Sequence, residues 1–317
     1  MKGEKVKGFL SVDGVRLAGI AAELPSTSVE VADTRIAAAT GIRSLRHAGK
    51  GVTPLDLCVR AAAKLMAETG TRTDEIGAVL FVSFTEPNRM PAGACQAQTR
   101  LQLPRDVIAL DLGLACSGWG YGLYLAALLA RQTGRRTLLL DGDVQSAFVD
   151  PADTATVPLL ADAGTAALVE PSDSTVPWMF SFLSDGADGE ALVLPKDGTI
   201  RMDGFGVFRF VSIEVTRFIR DFMSATGVTG EDIDAFIPHQ ANVFMVRKLA
   251  EALGVPHEKL GISADELGNS ASASVPVTLV RSKVKGEKAK VLFSGFGGGL
   301  SASVGLLEID DQCVLIS

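Results

Sequence analysis

The sequence predicts an α/β protein, on three observations. Apolar, strand-like runs alternate with segments of helical periodicity. Apolar residues make up 47% of the 317 and charged residues 21%, enough for a large core and too apolar for a disordered chain. The 33 glycines mark many tight turns and close backbone approaches. The length suits two domains of roughly 150 residues each, or one large α/β unit.

Val15 to Ala22 reads as a strand, followed by a loop at Pro25. Pro54 to Glu68 reads as a helix, because Leu55, Val59, Ala62 and Leu65 recur at helical spacing. Ala78 to Phe84 and Val107 to Leu112 are β-rich apolar runs, and Ser117 to Gln132 is a strongly apolar helix. Thr137 to Asp141 and Ala163 to Val169 complete the first set of strands. A turn-rich stretch follows, with Pro171, Pro177, Gly186, Gly189, Pro195 and Gly198, and it divides the chain into 1–171 and 172–317. The second part predicts helices at Val207 to Met223, Asn242 to Leu253 and Ala273 to Lys283. Its strands are Ile233 to Ile237, Val291 to Ser294 and Ser301 to Ile309. Two similar halves fit a divergent duplication, with no strict short-period repeat. The basic run Lys283 to Lys288 is expected to face solvent.

A net charge of −7 argues against non-specific nucleic-acid binding. The first residues carry no signal-peptide pattern, and the most apolar helical stretch, Tyr121 to Ala130, is too short to span a bilayer. A soluble cytoplasmic protein is the expectation. The four cysteines lack a CxxC pair and the three histidines are scattered, so no metal site is expected.

Four segments could carry chemistry. Cys116 opens the apolar helix after the strand ending at Leu112. Helix N-termini favour negative charge, so the position is expected to lower the thiol's pKa, and the thiolate is the reactive form. A small buried residue would occupy the same place. His239 stands at a strand exit in Pro238-His-Gln-Ala-Asn242, where α/β proteins build sites. A core or capping histidine fits there too, and Asn242 suits a helix cap. Asn269 lies in a loop of small residues, Gly268 to Ser274, which also fits an ordinary turn. Gly297, Gly298 and Gly299 lack the Lys-Ser/Thr of a phosphate loop, and a turn offering N–H groups to an oxyanion fits better. Together the four segments supply a nucleophile, an imidazole, an amide and N–H donors, the set that thioester chemistry needs.

In these motifs the sequence resembles β-ketoacyl-acyl-carrier-protein synthase III, of the thiolase superfamily. The resemblance runs over nearly the whole chain. It includes Thr40-Gly-Ile-Arg43, Gly93-Ala-Cys95-Gln96, Ala115-Cys116-Ser117-Gly118, Met202-Asp-Gly204 with Val207-Phe208, His239-Gln-Ala-Asn242, Gly268-Asn269-Ser270 with Val275-Pro276, and the glycine loop. The resemblance implies a five-layered αβαβα fold of two similar halves and a homodimer, with Cys116, His239 and Asn269 as the catalytic set. It implies that Cys116 takes an acyl group from a thioester, with the N–H groups of Cys116 and Gly298 holding the oxyanion. His239 and Asn269 would stabilise the enolate formed as a malonyl thioester loses carbon dioxide, and Phe296 would help expel the carboxylate. The product would be a β-ketoacyl thioester of fatty-acid or specialised acyl-chain biosynthesis. Neither a metal nor an organic cofactor is implied. Coenzyme A or carrier-protein phosphopantetheine thioesters are the substrates and an acyl-carrier protein the partner. Arg43 would belong to the substrate pocket, and Met90 aligns with the residue that reaches across the dimer to close the acyl pocket.

Three positions depart from the family. Arg35 stands where a Trp usually stacks on adenine, Thr154 where an Arg covers its other side, and Phe244 where an Arg docks the carrier protein. Arg247 and Lys248 are the substitutes for that docking role. Each lost stacking contact is worth about 0.5–1.5 kcal/mol, so a simple short acyl-CoA is not the expected primer. A same-fold acyltransferase acting on oxygen or nitrogen acceptors without decarboxylation is the alternative reaction, and a non-catalytic partner subunit the alternative class.

Overall fold

The computed structural model describes residues 8–88, 90–196, 198–282, 284 and 288–317. In chain order its strands are β1 (Leu10–Val12), β2 (Val15–Glu23), β3 (Thr27–Glu30), β4 (Ser44–His47), β5 (Ile76–Val82), β6 (Ile108–Leu112), β7 (Arg136–Val144), β8 (Asp162–Pro171), β9 (Trp178–Ser184), β10 (Leu192–Val193), β11 (Arg201–Met202), β12 (Ala235–Pro238), β13 (Ala289–Gly297), β14 (Ser301–Ile309) and β15 (Val314–Ile316). The helices are α1 (Thr34–Thr40), α2 (Pro54–Glu68), α3 (Gly93–Arg100), α4 (Gly118–Thr133), α5 (Gly204–Arg209), α6 (Thr216–Thr226), α7 (Val243–Leu253), α8 (Ala264–Leu267) and α9 (Ser274–Ser282).

Two sheets carry the fold, in the orders β15-β2-β8-β7-β5-β6 and β1-β9-β14-β13-β12. The likeness of the two halves is visible in their pairing senses. In the first sheet β7 runs parallel to β5 and antiparallel to β8, which is antiparallel to β2. In the second β13 runs parallel to β12 and antiparallel to β14, which is antiparallel to β9. Residue 171 ends β8, so the two parts divide between the sheets. Two short strands cross that division: β1 pairs with β9, and β15 pairs with β2.

Helix α4 packs between the sheets, against β5 and β7 on one side and β13 and β14 on the other, with α9 in the same layer. Helix α2 covers the outer face of the first sheet, and α6 and α7 pack on the outer face of the second. The layers are therefore αβαβα. The central helix explains its own glycines: a Cβ at Gly120 would stand 2.3 Å from Ser303 Oγ, and one at Gly122 would stand 2.7 Å from Leu139 Cδ1. Only glycine lets both sheets approach one helix so closely.

Helix α2 has the bounds its sequence predicts, because Thr53 and Asp56 form a capping box and Pro54 occupies the first turn. The stretch expected to be turns holds β9, and the expected helix from Val207 to Met223 is α5 and α6 joined by a π-helical turn, Phe210–Val215. Of the basic run, Lys283, Lys285, Gly286 and Glu287 lie outside the described residues. Among the described residues no helix is long and apolar enough to cross a membrane, and no cluster of His, Cys, Asp or Glu could hold a metal ion.

Candidate active site

Cys116 sits in the turn between β6 and α4, closed by Gly118 N–H donating to Ala115 O at 2.7 Å. The second sheet clamps this turn. Ser303 Oγ donates to the Ser117 carbonyl at 2.9 Å, and the Ser117 and Ser301 hydroxyls are 2.8 Å apart. Ser301 Oγ also donates to the Gly298 carbonyl at 2.8 Å, fixing the glycine loop beside the nucleophile. The backbone N–H groups of Cys116 and Gly298 both point at the sulfur. That pair of donors is the arrangement an oxyanion beside the sulfur needs.

The expectation of a lowered thiol pKa is overturned. Burial pushes Cys116 up to about 12, and the carboxyl groups of Asp143 and Asp141 add to the shift, against the pull of the two N–H groups. Those carboxyls lie on one face of β7 and are fully buried. Asp143 Oδ1 accepts from Ser83 Oγ, Phe84 N–H, Thr85 N–H and Thr85 Oγ1, and burial raises its pKa to about 7. Asp141 accepts from Ser272 Oγ, and burial holds its pKa well above the usual carboxylate range. Neither acid is visible as part of the site from sequence spacing alone.

His239 follows β12, with its N–H donating to Ser294 O at 2.7 Å. Its ring is buried and meets Phe296 edge-on, with centroids 5.2 Å apart. Nδ1 lies 3.0 Å from Ala271 O and 2.9 Å from Ser274 Oγ. A carbonyl only accepts, so this contact assigns the ring proton to Nδ1 and leaves Nε2 bare. Burial lowers the ring's pKa to about 4, so the imidazole is neutral at pH 7. Asn269 Oδ1 accepts from Ala271 N–H at 3.0 Å, which turns Nδ2 the other way. Asn269 N–H donates to Leu159 O, and its carbonyl accepts from Ala161 N–H. Asn242 caps α7 by accepting from Met245 N–H at 2.8 Å.

A cavity of about 310 Å³ opens on Cys116, Asn269 and Gly298. Its walls include Phe84, Leu114, Leu160, Leu192, Ile200 and Met202, of which Leu114 and Met202 lie in the sequence motifs. Neither His239 nor Phe296 is on these walls; both are buried, ring against ring. Two expected pocket residues stand elsewhere in this chain. Arg43 is exposed and ion-paired with Asp265 and Glu266, and Met90 is 85% exposed in the single chain. Arg35 is paired with Asp33 on the surface, and Thr154 is exposed. Arg247 and Lys248 are exposed on α7 and line a surface groove with Phe244, with Lys248 ion-paired to Glu251. Phe244 stacks on Phe208, with centroids 6.5 Å apart.

Residues 110–187 match the family model of 3-oxoacyl-[acyl-carrier-protein] synthase III, and residues 223–309 match the model of its C-terminal part. The β-ketoacyl-[acyl-carrier-protein] synthase III of Rhodopirellula baltica is 30% identical, over 94% of this chain and 99% of its own. The β-ketoacyl-[acyl-carrier-protein] synthase III 2 of Streptomyces coelicolor is 33% identical, over 83% of this chain and 81% of its own. Among solved structures, a 3-oxoacyl-(acyl-carrier protein) synthase from Burkholderia xenovorans superposes with a TM-score of 0.92 at 31% identity, covering 98% of this chain and 99% of that one. The priming β-ketosynthase of a polyketide biosynthetic pathway superposes with a TM-score of 0.87 at 28% identity, covering 95% and 98%.

Proposed function

Since the chain belongs to the 3-oxoacyl-[acyl-carrier-protein] synthase III family, we propose that it is a condensing enzyme that joins an acyl group held on Cys116 to a malonyl thioester. The observation that carries this reading is the convergence of Cys116, the N–H groups of Cys116 and Gly298, and Asn269 on one cavity.

In the first half-reaction the bare His239 Nε2 takes the thiol proton and the thiolate attacks the acyl carbonyl. The oxyanion accepts hydrogen bonds from Cys116 N–H and Gly298 N–H. The donor's C–S bond then breaks, and the leaving thiolate takes the proton back from Nε2. A thiol held near pKa 12 makes this proton acceptor necessary, because little thiolate exists at pH 7. In the second half-reaction the malonyl carboxylate leaves as carbon dioxide. The electron pair of the broken C–C bond becomes an enolate whose oxygen accepts from Asn269 Nδ2–H. With the ring proton held on Nδ1 by Ala271 O, His239 Nε2 is an acceptor, so Asn269 Nδ2–H is the side-chain donor to that oxygen. The carbanion attacks the acyl-cysteine carbonyl, the C–S bond breaks, and the Cys116 thiolate is released.

The surface supports a reading of the donor and partner. Arg35 and Thr154 offer no adenine sandwich, so primers borne on a carrier protein are favoured, with docking at Arg247 and Lys248. A homodimer is proposed through β6, an edge strand that exposes Ile108 and Leu110. The test is carbon dioxide release from a carboxyl-labelled malonyl thioester. It should require an acyl donor and fall about 10²–10³-fold in Asn269→Ala, with Cys116 acylation retained. Release of carbon dioxide unchanged in that variant overturns the assignment of Asn269. Turnover of acetyl-CoA as fast as that of any carrier-borne primer overturns the donor preference.

A further inference from the structure

Gln145 lies just past β7, is 3% exposed, and lines the cavity that opens on Cys116. Its Nε2 donates to Ala161 O at 2.9 Å and to Asn269 O at 2.7 Å. Both acceptors are carbonyls, so both amide hydrogens are committed and the orientation of the amide is fixed by them. That leaves Oε1. Among the described residues no group donates to it, and it is not one of the buried polar atoms sealed off without a partner. The oxygen therefore faces the cavity.

Its surroundings make this acceptor conspicuous. Phe84, Leu160, Leu192 and Ile200 on the same walls are apolar. Thr156, another polar residue there, has its side chain and N–H bound to Asp153. A plain alkyl chain packed into the cavity would cover Oε1 and strip it of water with nothing in exchange, whereas a hydroxyl would donate to it. A charged ammonium fits less well, since no carboxylate is on the walls to pair with it. The volume of about 310 Å³ lies at the small end of ligand cavities, which limits the guest to a short chain.

Resting on the reading of Cys116 as the acyl carrier, we propose that this pocket selects a short acyl group bearing a neutral hydrogen-bond donor, a hydroxyl, which binds Gln145 Oε1. Gln145 is then a specificity-determining residue as well as a support for Asn269.

The test uses the full chain and matched carrier-borne thioesters: butyryl against its 2-, 3- and 4-hydroxy isomers. Acylation of Cys116 is followed by intact mass, with Cys116→Ala as the blank. One hydroxylated isomer should load about 5- to 150-fold faster than butyryl, the range set by leaving a buried acceptor unpaired. Gln145→Leu should bring that ratio to one or below, and Gln145→Met should do the same if the leucine variant fails to fold. A purely structural role, through Ala161 and Asn269, would slow both members alike and leave the ratio unchanged, which overturns the proposal. So does a wild-type chain that loads butyryl as fast as every hydroxylated isomer. If no thioester acylates Cys116, the enzymatic reading itself falls and the inference with it.

Discussion

Gly297→Ala tests how tightly the glycine loop is fitted to the nucleophile. A Cβ at Gly297 would stand 2.9 Å from Cys116 Cβ and 3.0 Å from its Sγ. Carbon contacts are comfortable at about 3.5–4.0 Å, so relief needs a displacement of roughly 0.5–1 Å. The Cys116 turn cannot retreat freely. A Cβ at Gly295 would already lie 2.7 Å from the Cys116 carbonyl, and Ser303 and Ser301 hold Ser117 from the same side. The loop must therefore move, taking Gly298 N–H off the sulfur. A misplacement of about 1 Å costs about 10²-fold in rate, and overpacking costs about 1–3 kcal/mol in stability. The assay is single-turnover acylation of Cys116 by intact mass, beside urea unfolding. Gly186→Ala, where a Cβ meets nothing within 4 Å, is the control and should match the wild type. A Gly297→Ala protein that acylates at the wild-type rate with unchanged stability refutes the fit.

Three further outcomes follow from the same geometry. Cys116, pushed from 9.0 to about 12, should hold about 10³-fold less thiolate at pH 7 than an unperturbed thiol. Its alkylation by iodoacetamide, read by peptide mapping, should therefore keep rising with pH without a plateau below pH 10, and Asp143→Asn should speed it above pH 7. His239, lowered from 6.5 to about 4, binds fewer protons folded than unfolded across that window. Its contribution is thus constant above pH 6.5 and turns destabilising as pH falls, by about 2 kcal/mol at pH 5. The difference in urea-unfolding free energy between wild type and His239→Asn should shrink by that amount from pH 7 to pH 5. Leu110→Lys, on the exposed edge strand β6, should convert a dimer to monomers in sedimentation velocity, and an unchanged sedimentation coefficient would remove β6 from the interface.

What the sequence disclosed and what it hid have physical reasons. Helix α2 was legible because its cap, its first-turn proline and its apolar period all lie within its own residues. Helix α3 was missed because its sequence is largely polar and its N-terminus is held from a distance, by Asp111 accepting from Gly93 and Ala94 N–H at 2.7 Å. Strand β9 was hidden by Pro177 before it and Gly186 after it, although its pairing with both β1 and β14 makes it an inner strand of the second sheet. Cys116, His239, Asn269 and Gly298 are legible as candidates because each sits in a local motif at a strand exit or loop, and the fold brings Cys116, Asn269 and Gly298 to one cavity. Gln145, Asp141 and Asp143 were not, because their meaning comes from partners far along the chain: Gln145 from Asn269, Asp141 from Ser272 and Asp143 from Thr85. The expected low thiol pKa failed for the same reason, since helix position is local whereas burial belongs to the assembled fold.

The most direct test of the central claim is a chase on the acylated protein. The chain is loaded from an acyl thioester, the adduct is mapped by peptide mass, and a malonyl-carrier thioester is then added. The adduct should map to Cys116, be absent in Cys116→Ala, and disappear with one carbon dioxide and one β-ketoacyl thioester formed per acyl group lost. An adduct that survives in Cys116→Ala, or one that leaves Cys116 without carbon dioxide release, would contradict the account.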